Sequence, residues 1–343
     1  MRARVPGRGV VLLLVLALAL GAVAVAGCGG SSKASSSGSP AAAAAAASGK
    51  SADQIVKDSE AKMATVTSAS FTADLGLQVQ GDTSKMTDPT AKALLSQGIT
   101  FSAQGKSAKA PKAGALTDVT MSVGIAGQTL DFGLKSVGKK AWLEYQGSWY
   151  KVDSKSTRSL DRQTSGGALP TQQLKSLGID PSAWGATYEL AGTESMNGVQ
   201  VYHIKATADP TKLAEALTKA AENPKVQKEL GSASGSLGQL GSGLSGSTKQ
   251  AEQLAKTLKS ATVDYWIGVG DNYLYKAQFA AVMDMTGQQN MQGVTGLDLK
   301  GSVTMADFGQ AVEVTAPAGA KPFKEFMNQL FGGMLGGAGG MSL

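Results

Sequence analysis

Alternation with a period of two constrains this chain more than any other feature. Phe71, Ala73, Leu75, Leu77 and Val79 alternate with Thr72, Asp74, Gly76, Gln78 and Gln80. Successive strand residues point to opposite faces, so this segment has one apolar face and one polar face. The pattern returns at Val119, Met121, Val123, Ile125 and at Leu130, Phe132, Leu134, with Ala126-Gly127-Gln128 as the hairpin turn between them. Trp142–Tyr145 and Trp149–Val152 flank Gln146-Gly147-Ser148, a second hairpin. Tyr188–Leu190 and Val199–Ala206 lie either side of Asn197-Gly198, a dipeptide that tolerates the positive φ angles of a tight hairpin turn. Val263–Val269, Tyr273–Met285, Leu297–Met305 and Val312–Val314 follow. One-sided strands joined by hairpins predict an antiparallel sheet of about ten strands with one solvated face.

Helical spacing interrupts this pattern in a few places. Ser51-Ala52-Asp53-Gln54 fits a capping box, and the apolar residues that follow predict a helix over 52–66. Asp209-Pro210 supplies an N-cap and a proline at the first helical position, followed by Leu213, Leu217 and Ala220 up to Asn223-Pro224. A second stripe, Ala251, Leu254, Ala255 and Leu258, precedes the strand at 263. Pro170–Leu177 and Asp180–Trp184 read as short helical turns, and the segment 231–246 as a Gly/Ser-rich mobile loop. Phe323, Phe326, Met327, Leu330, Phe331 and Met334 mark a C-terminal amphipathic helix. Neither set of strands flanking the central helices closes a sheet alone, so 51–331 reads as one domain with a flexible tail at 332–343.

The N-terminus is of another kind. Arg2, Arg4 and Arg8 precede an apolar run that begins at Gly9 and ends in Val25-Ala26-Gly27-Cys28. A basic start, a short hydrophobic stretch and small residues at its end predict a secretory signal over 1–27. Cys28 is the only cysteine in the chain. The Val-Ala-Gly-Cys ending resembles the lipobox of bacterial lipoproteins, which implies cleavage before Cys28 and acylation of its thiol. The alternative is an ordinary signal with an uncommitted cysteine. Residues 29–50 are Ser, Gly and Ala with little to bury, so 28–50 reads as a lipidated tether. About 20 such residues span roughly 25 Å.

Composition excludes several functions. Loss of three arginines from 32 basic residues leaves 29 against 26 acidic ones, with no basic cluster for nucleic acid. His203 is the only histidine, so no histidine-rich or cysteine-rich metal site is available. Ser59-Glu60-Ala61-Lys62 matches one motif of penicillin-recognising enzymes and Ser195-Met196-Asn197 mimics a second, but a Lys-Thr/Ser-Gly third is absent. Gly241-Ser-Gly243-Leu-Ser-Gly246 has the letters of a dinucleotide fingerprint without its strand. Carboxylates are scattered. No enzyme, cofactor or metal is indicated.

What remains is the apolar face, which the helices either cover as ordinary core or leave open as a cavity. Met121, Met283, Met285 and Met305 suit either role, since methionine adapts to irregular surroundings. Small residues beside them (Ala73, Gly133, Ala277, Ala281) leave room for a cavity. The cavity candidates are Phe71, Leu75, Leu77, Val79, Met121, Val123, Phe132, Leu134, Phe279, Met283 and Met285. Val66–Phe71, the segment 188–204 with its Gly192-Thr-Glu and Asn197-Gly198, and Ala141–Asp153 resemble the actinobacterial LppX/LprA/LprF/LprG lipoproteins. The segments at 106–114 and 231–246 depart from that pattern. The resemblance implies an α+β fold of LolA type, an open antiparallel half-barrel with helices on its concave face. It also implies binding and transfer of acyl lipids or glycolipids at the extracytoplasmic face of a cell membrane. A structural or sensory lipoprotein that binds an envelope or transporter protein is the alternative, with an exposed Phe323/Phe326/Phe331 patch as its mark.

Overall fold

The structure, a computed structural model, describes residues 49–85, 89–110, 114–152, 184–213, 215–216, 257–286 and 293–336. Cys28, the tether, the turns at 170–183, the loop at 231–246 and the stripe at 251–255 lie outside these residues.

Helix α1 (Ala52–Ala64) starts where the capping signal places it. The Gln54 amide donates to Ser51 Oγ at 3.2 Å, and Ile55, Val56, Ser59 and Met63 form the buried stripe. The strands are β1 (Ser68–Gly81), β2 (Ile99–Ala110), β3 (Gly114–Ile125), β4 (Gln128–Gly138), β5 (Lys140–Tyr145) and β6 (Ser148–Lys151). They continue with β7 (Thr187–Met196), β8 (Val199–Thr207), β9 (Leu258–Gly268), β10 (Leu274–Asp284), β11 (Val294–Ala306) and the two-residue β12 (Lys321–Pro322). Helix α2 (Pro89–Gln97) joins β1 to β2, and α3 (Phe323–Gly336) follows β12.

All these strands form one open sheet in the order β12-β6-β5-β4-β3-β2-β1-β11-β10-β9-β8-β7. Every pairing is antiparallel except β12 with β6. The sheet has 12 strands, not about ten. The added ones are β2, whose apolar face is diluted by Ala103, Gly105 and Ser107, and the minimal β12. Conversely, Val312–Val314 forms no strand, because alternation without a partner leaves backbone groups unpaired. Leu258 opens β9 instead of closing a helix. The hairpin turns fall where expected, with positive φ at Ala126 and Gly127, Gln146 and Gly147, and Asn197 and Gly198.

Helices α1 and α3 cover the apolar face at its two ends, and the helical residues 210–213 and 215–216 add Leu213 and Ala216 to the cover at the α1 end. α1 packs over β7–β11 and β1, in a core that includes Ile55, Val56, Leu77, Tyr265, Met283 and Leu299. α3 packs over β5–β6, where Phe326 meets Tyr145 and Tyr150 at ring centroid distances of 5.7 and 5.5 Å. Of the phenylalanines whose exposure would mark the partner-binding alternative, Phe326 is docked, at 6 % exposed.

Candidate functional site

The strand register puts the cavity candidates of β1, β3, β4 and β10 on one side of the sheet. One row runs Tyr188, Ala206, Val263, Phe279, Gly301, Leu75, Phe101, Val123, Leu130 from β7 to β4. The next rows place Leu77 beside Leu299, Val79 beside Leu297 and Met283, Met121 beside Phe132, and Phe71 in line with Leu134. Met285 follows β10 and donates its amide to Thr295 O at 3.0 Å.

Burial then divides these residues. Leu77, Phe279, Met283 and Met285 are buried in the α1-covered core, and Leu75 and Val79 pack against it. Phe132 packs against the α3-covered cluster. Phe71, Met121, Val123 and Leu134 belong to neither cluster and are half-buried. With Phe101 they form an apolar stretch on β1–β4 between the two helix-covered ends, and Ile125 and Leu130 extend it at 43 % and 41 % exposure. The small residues divide too. Ala277 and Ala281 are fully packed, and Gly133 lies on the opposite face, where a Cβ would meet Glu144 and Trp149.

The α1-covered half is a filled core. Burial pushes the Tyr265 phenol well above its ordinary range, and the neighbouring Tyr188 and Glu60 add to the effect.

Two recesses open on the polar face. One, of about 700 Å³, takes in Asp74, Thr100, Ser122, Thr129, Asp264 and Lys300. A second, of about 860 Å³, shares Asp74, Ser102, Ser122 and Thr129 with it and adds Asp131 and Glu144. Asp264 on β9 and Thr129 on β4 line one recess although five strands separate theirs, so the sheet curls there toward its polar face. α1 and α3 lie on the opposite, apolar face. Side-chain size explains the curl. Gly76, Gly124, Ser102, Ser122 and Ser302 crowd the polar face little, whereas the apolar face carries bulky residues and helices.

His203 sits on the polar face of β8. Carboxylate oxygens of Asp264 and Glu194 lie at its two ring nitrogens and its ring stacks on Trp266. No serine hydroxyl is among these contacts, so they contain no nucleophile for a triad. Among the described residues no group of three or more His, Cys, Asp or Glu side chains is arranged to hold a metal ion. Sequence reading missed Glu194 and Asp264 as partners of His203, because they lie on other strands.

No family model and no curated protein matches the chain. Among solved structures it is similar to LprF from Mycobacterium bovis, with 13 % identity over 78 % of this chain and 97 % of that one, and a TM-score of 0.37. The Mycobacterium tuberculosis lipoprotein LppX gives 14 % identity over 76 % and 96 %, with a TM-score of 0.33. An outer membrane lipoprotein-sorting protein domain from Vibrio parahaemolyticus gives 11 % identity over 76 % and 92 %, with a TM-score of 0.19. The architecture itself rests on the strand pairing described above.

Proposed function

We propose that this chain is an envelope lipoprotein, tethered by acylated Cys28, whose apolar sheet face holds acyl chains of a lipid or glycolipid. The observation that carries this reading is the apolar stretch at Phe71, Phe101, Met121, Val123 and Leu134, left between two packed ends of one continuous face. Each buried CH₂ of a ligand would contribute about 0.8 kcal/mol. A few contacts along a chain then suffice for useful affinity without any catalytic group. The signal at 1–27, the tether at 28–50, one domain at 51–331 and the tail at 332–343 complete the proposed organisation. Transfer between membranes, and a protein partner for it, would follow from the same stretch if it opens and closes.

The test is native mass spectrometry of the mature protein purified from its own host, followed by organic extraction. Acyl lipid at near one-to-one ratio is expected, and Val123→Asp should abolish it. A ligand-free mass together with no uptake of added fluorescent lipid would overturn the reading. Cys28→Ser should release the protein from the membrane fraction, and unchanged retention would remove the anchor from the proposal.

A further inference from the structure

The polar face of β7–β10 carries a charged and aromatic group that lipid binding leaves unused. His203 has a carboxylate at each ring nitrogen: Asp264 Oδ1 is 2.8 Å from Nε2, and Glu194 Oε1 is 3.2 Å from Nδ1. The same Glu194 oxygen accepts the Trp266 indole N–H at 2.8 Å. The imidazole stacks on Trp266 with centroids 4.6 Å apart and planes 13° apart, and Lys276 Nζ lies 4.5 Å from the same indole's centroid. The other charged or titratable groups in this part of the sheet include Lys205, paired in register with Asp264, Glu189, paired with Lys205, and the hydrogen-bonded Asp271 and Tyr275, which lie against Gly268 in the row of Val201 and Glu194.

Glu194 reaches this group because β7 is irregular. Residues five apart on a regular strand face opposite sides. The register shift between Leu190 and Gly192 brings Glu189 and Glu194 to the same, polar side.

A neutral imidazole carries one N–H and one bare lone pair, whereas the imidazolium carries two N–H groups. With a carboxylate oxygen at both nitrogens, the neutral ring must point a lone pair at an anion. Only the imidazolium carries an N–H at each of the two nitrogens that face a carboxylate, and it also places its charge on the Trp266 face. We propose that protonated His203 is a pH-dependent latch that ties the edge strand β7 to β9 across β8. Strand β7 pairs with β8 alone, at the end of the sheet, and on the polar face Glu194 joins it to His203 and to Trp266 of β9. On the other face of β7, Tyr188 and Leu190 pack against the α1-covered core, which carries the state of the latch to the apolar side.

Amide hydrogen exchange of the mature protein at about pH 5.5 and about pH 8 brackets the range in which histidines change charge. After correction for intrinsic rates, β7 amides should lose about tenfold in protection at the higher pH, with β10 and β11 unchanged. His203→Gln should show the same β7 protection at both values. A pH effect of equal size in that variant, or none in the parent, would overturn the latch. The ring nitrogen resonances of the unmodified protein give a second reading. Both nitrogens protonated at the lower pH are expected, and a bare one there would refute the proposal even if the variant failed to fold.

Discussion

At the scale of residues, the clearest consequences are electrostatic. Asp58 is held below its ordinary value of 3.8 first by the hydrogen bond from Lys50, 2.5 Å away, against a smaller opposing effect of burial. A depressed carboxyl stabilises the fold above the unfolded value, and that contribution disappears as pH falls through the lowered one. Lys50→Ala should therefore move the Asp58 titration back toward 3.8, read from its carboxyl resonance; an unmoved curve would refute the pairing. Tyr275 shows the opposite case. Burial, then its hydrogen bond to Asp271 at 2.7 Å, pushes its phenol up to about 12. The folded state favours the neutral phenol, so this contribution is complete below the ordinary value of 10.0 and is lost as pH rises toward about 12. In an ultraviolet titration, Tyr275→Phe should remove a tyrosine ionisation at about pH 12, and an unchanged curve would refute the assignment.

At the scale of elements, packing across strands decides what a position tolerates. Phe279 on β10 lies over Gly301 on β11, where a Cβ would come within 2.4 Å of the ring. Gly301→Ala should force a buried aromatic aside and cost about 1–3 kcal/mol in urea unfolding, and a neutral result would mean that the ring is free to turn. Phe326 anchors α3 on Tyr145 and Tyr150 of β5 and β6, so Phe326→Ala should cost about 3 kcal/mol. Several of these elements were legible in sequence, for definite reasons. β1, β3 and β8 alternate large apolar residues with polar ones, and the Asp209 cap works as its side chain suggests, accepting from the amides of Thr211 and Lys212 at 2.9 and 3.2 Å. β2 was not read because its inward positions include Gly105 and Ser107, too small to mark a face. Helix α2 was missed although Asp88-Pro89 is the same signal that was used at Asp209-Pro210. Val312 and Val314 misled because alternation reports a face and says nothing about an available partner. Which part of the apolar face is covered was not legible at all, since it depends on where α1 and α3 land.

At the scale of the whole molecule, the strand order governs how the chain must fold. β1 pairs with β2 on one side and with β11 on the other, so Leu77 meets Leu299 and Val79 meets Leu297 across more than two hundred residues. This seam joins the β2–β6 meander to the β7–β10 strands, and its closure must precede any reward from those contacts. The α1-covered core spans the seam as well: Leu77 comes from one side, while Tyr265, Met283 and Leu299 come from the other. A fragment ending at Val152 would retain β1–β6 and α1 but leave the α1 stripe of Ile55, Val56 and Met63 without most of its floor. It would also lose α3, and with it the cover over Tyr145 and Tyr150. Such a fragment should show no cooperative urea transition, because a sheet with one unpaired long strand and both apolar ends bare cannot offset its chain entropy. Adding the complementary segment from Trp184 onward should restore a single transition by pairing β1 with β11. A cooperative transition in the first fragment alone would show that the meander is an independent unit, and the one-domain organisation proposed for 51–331 would have to be abandoned.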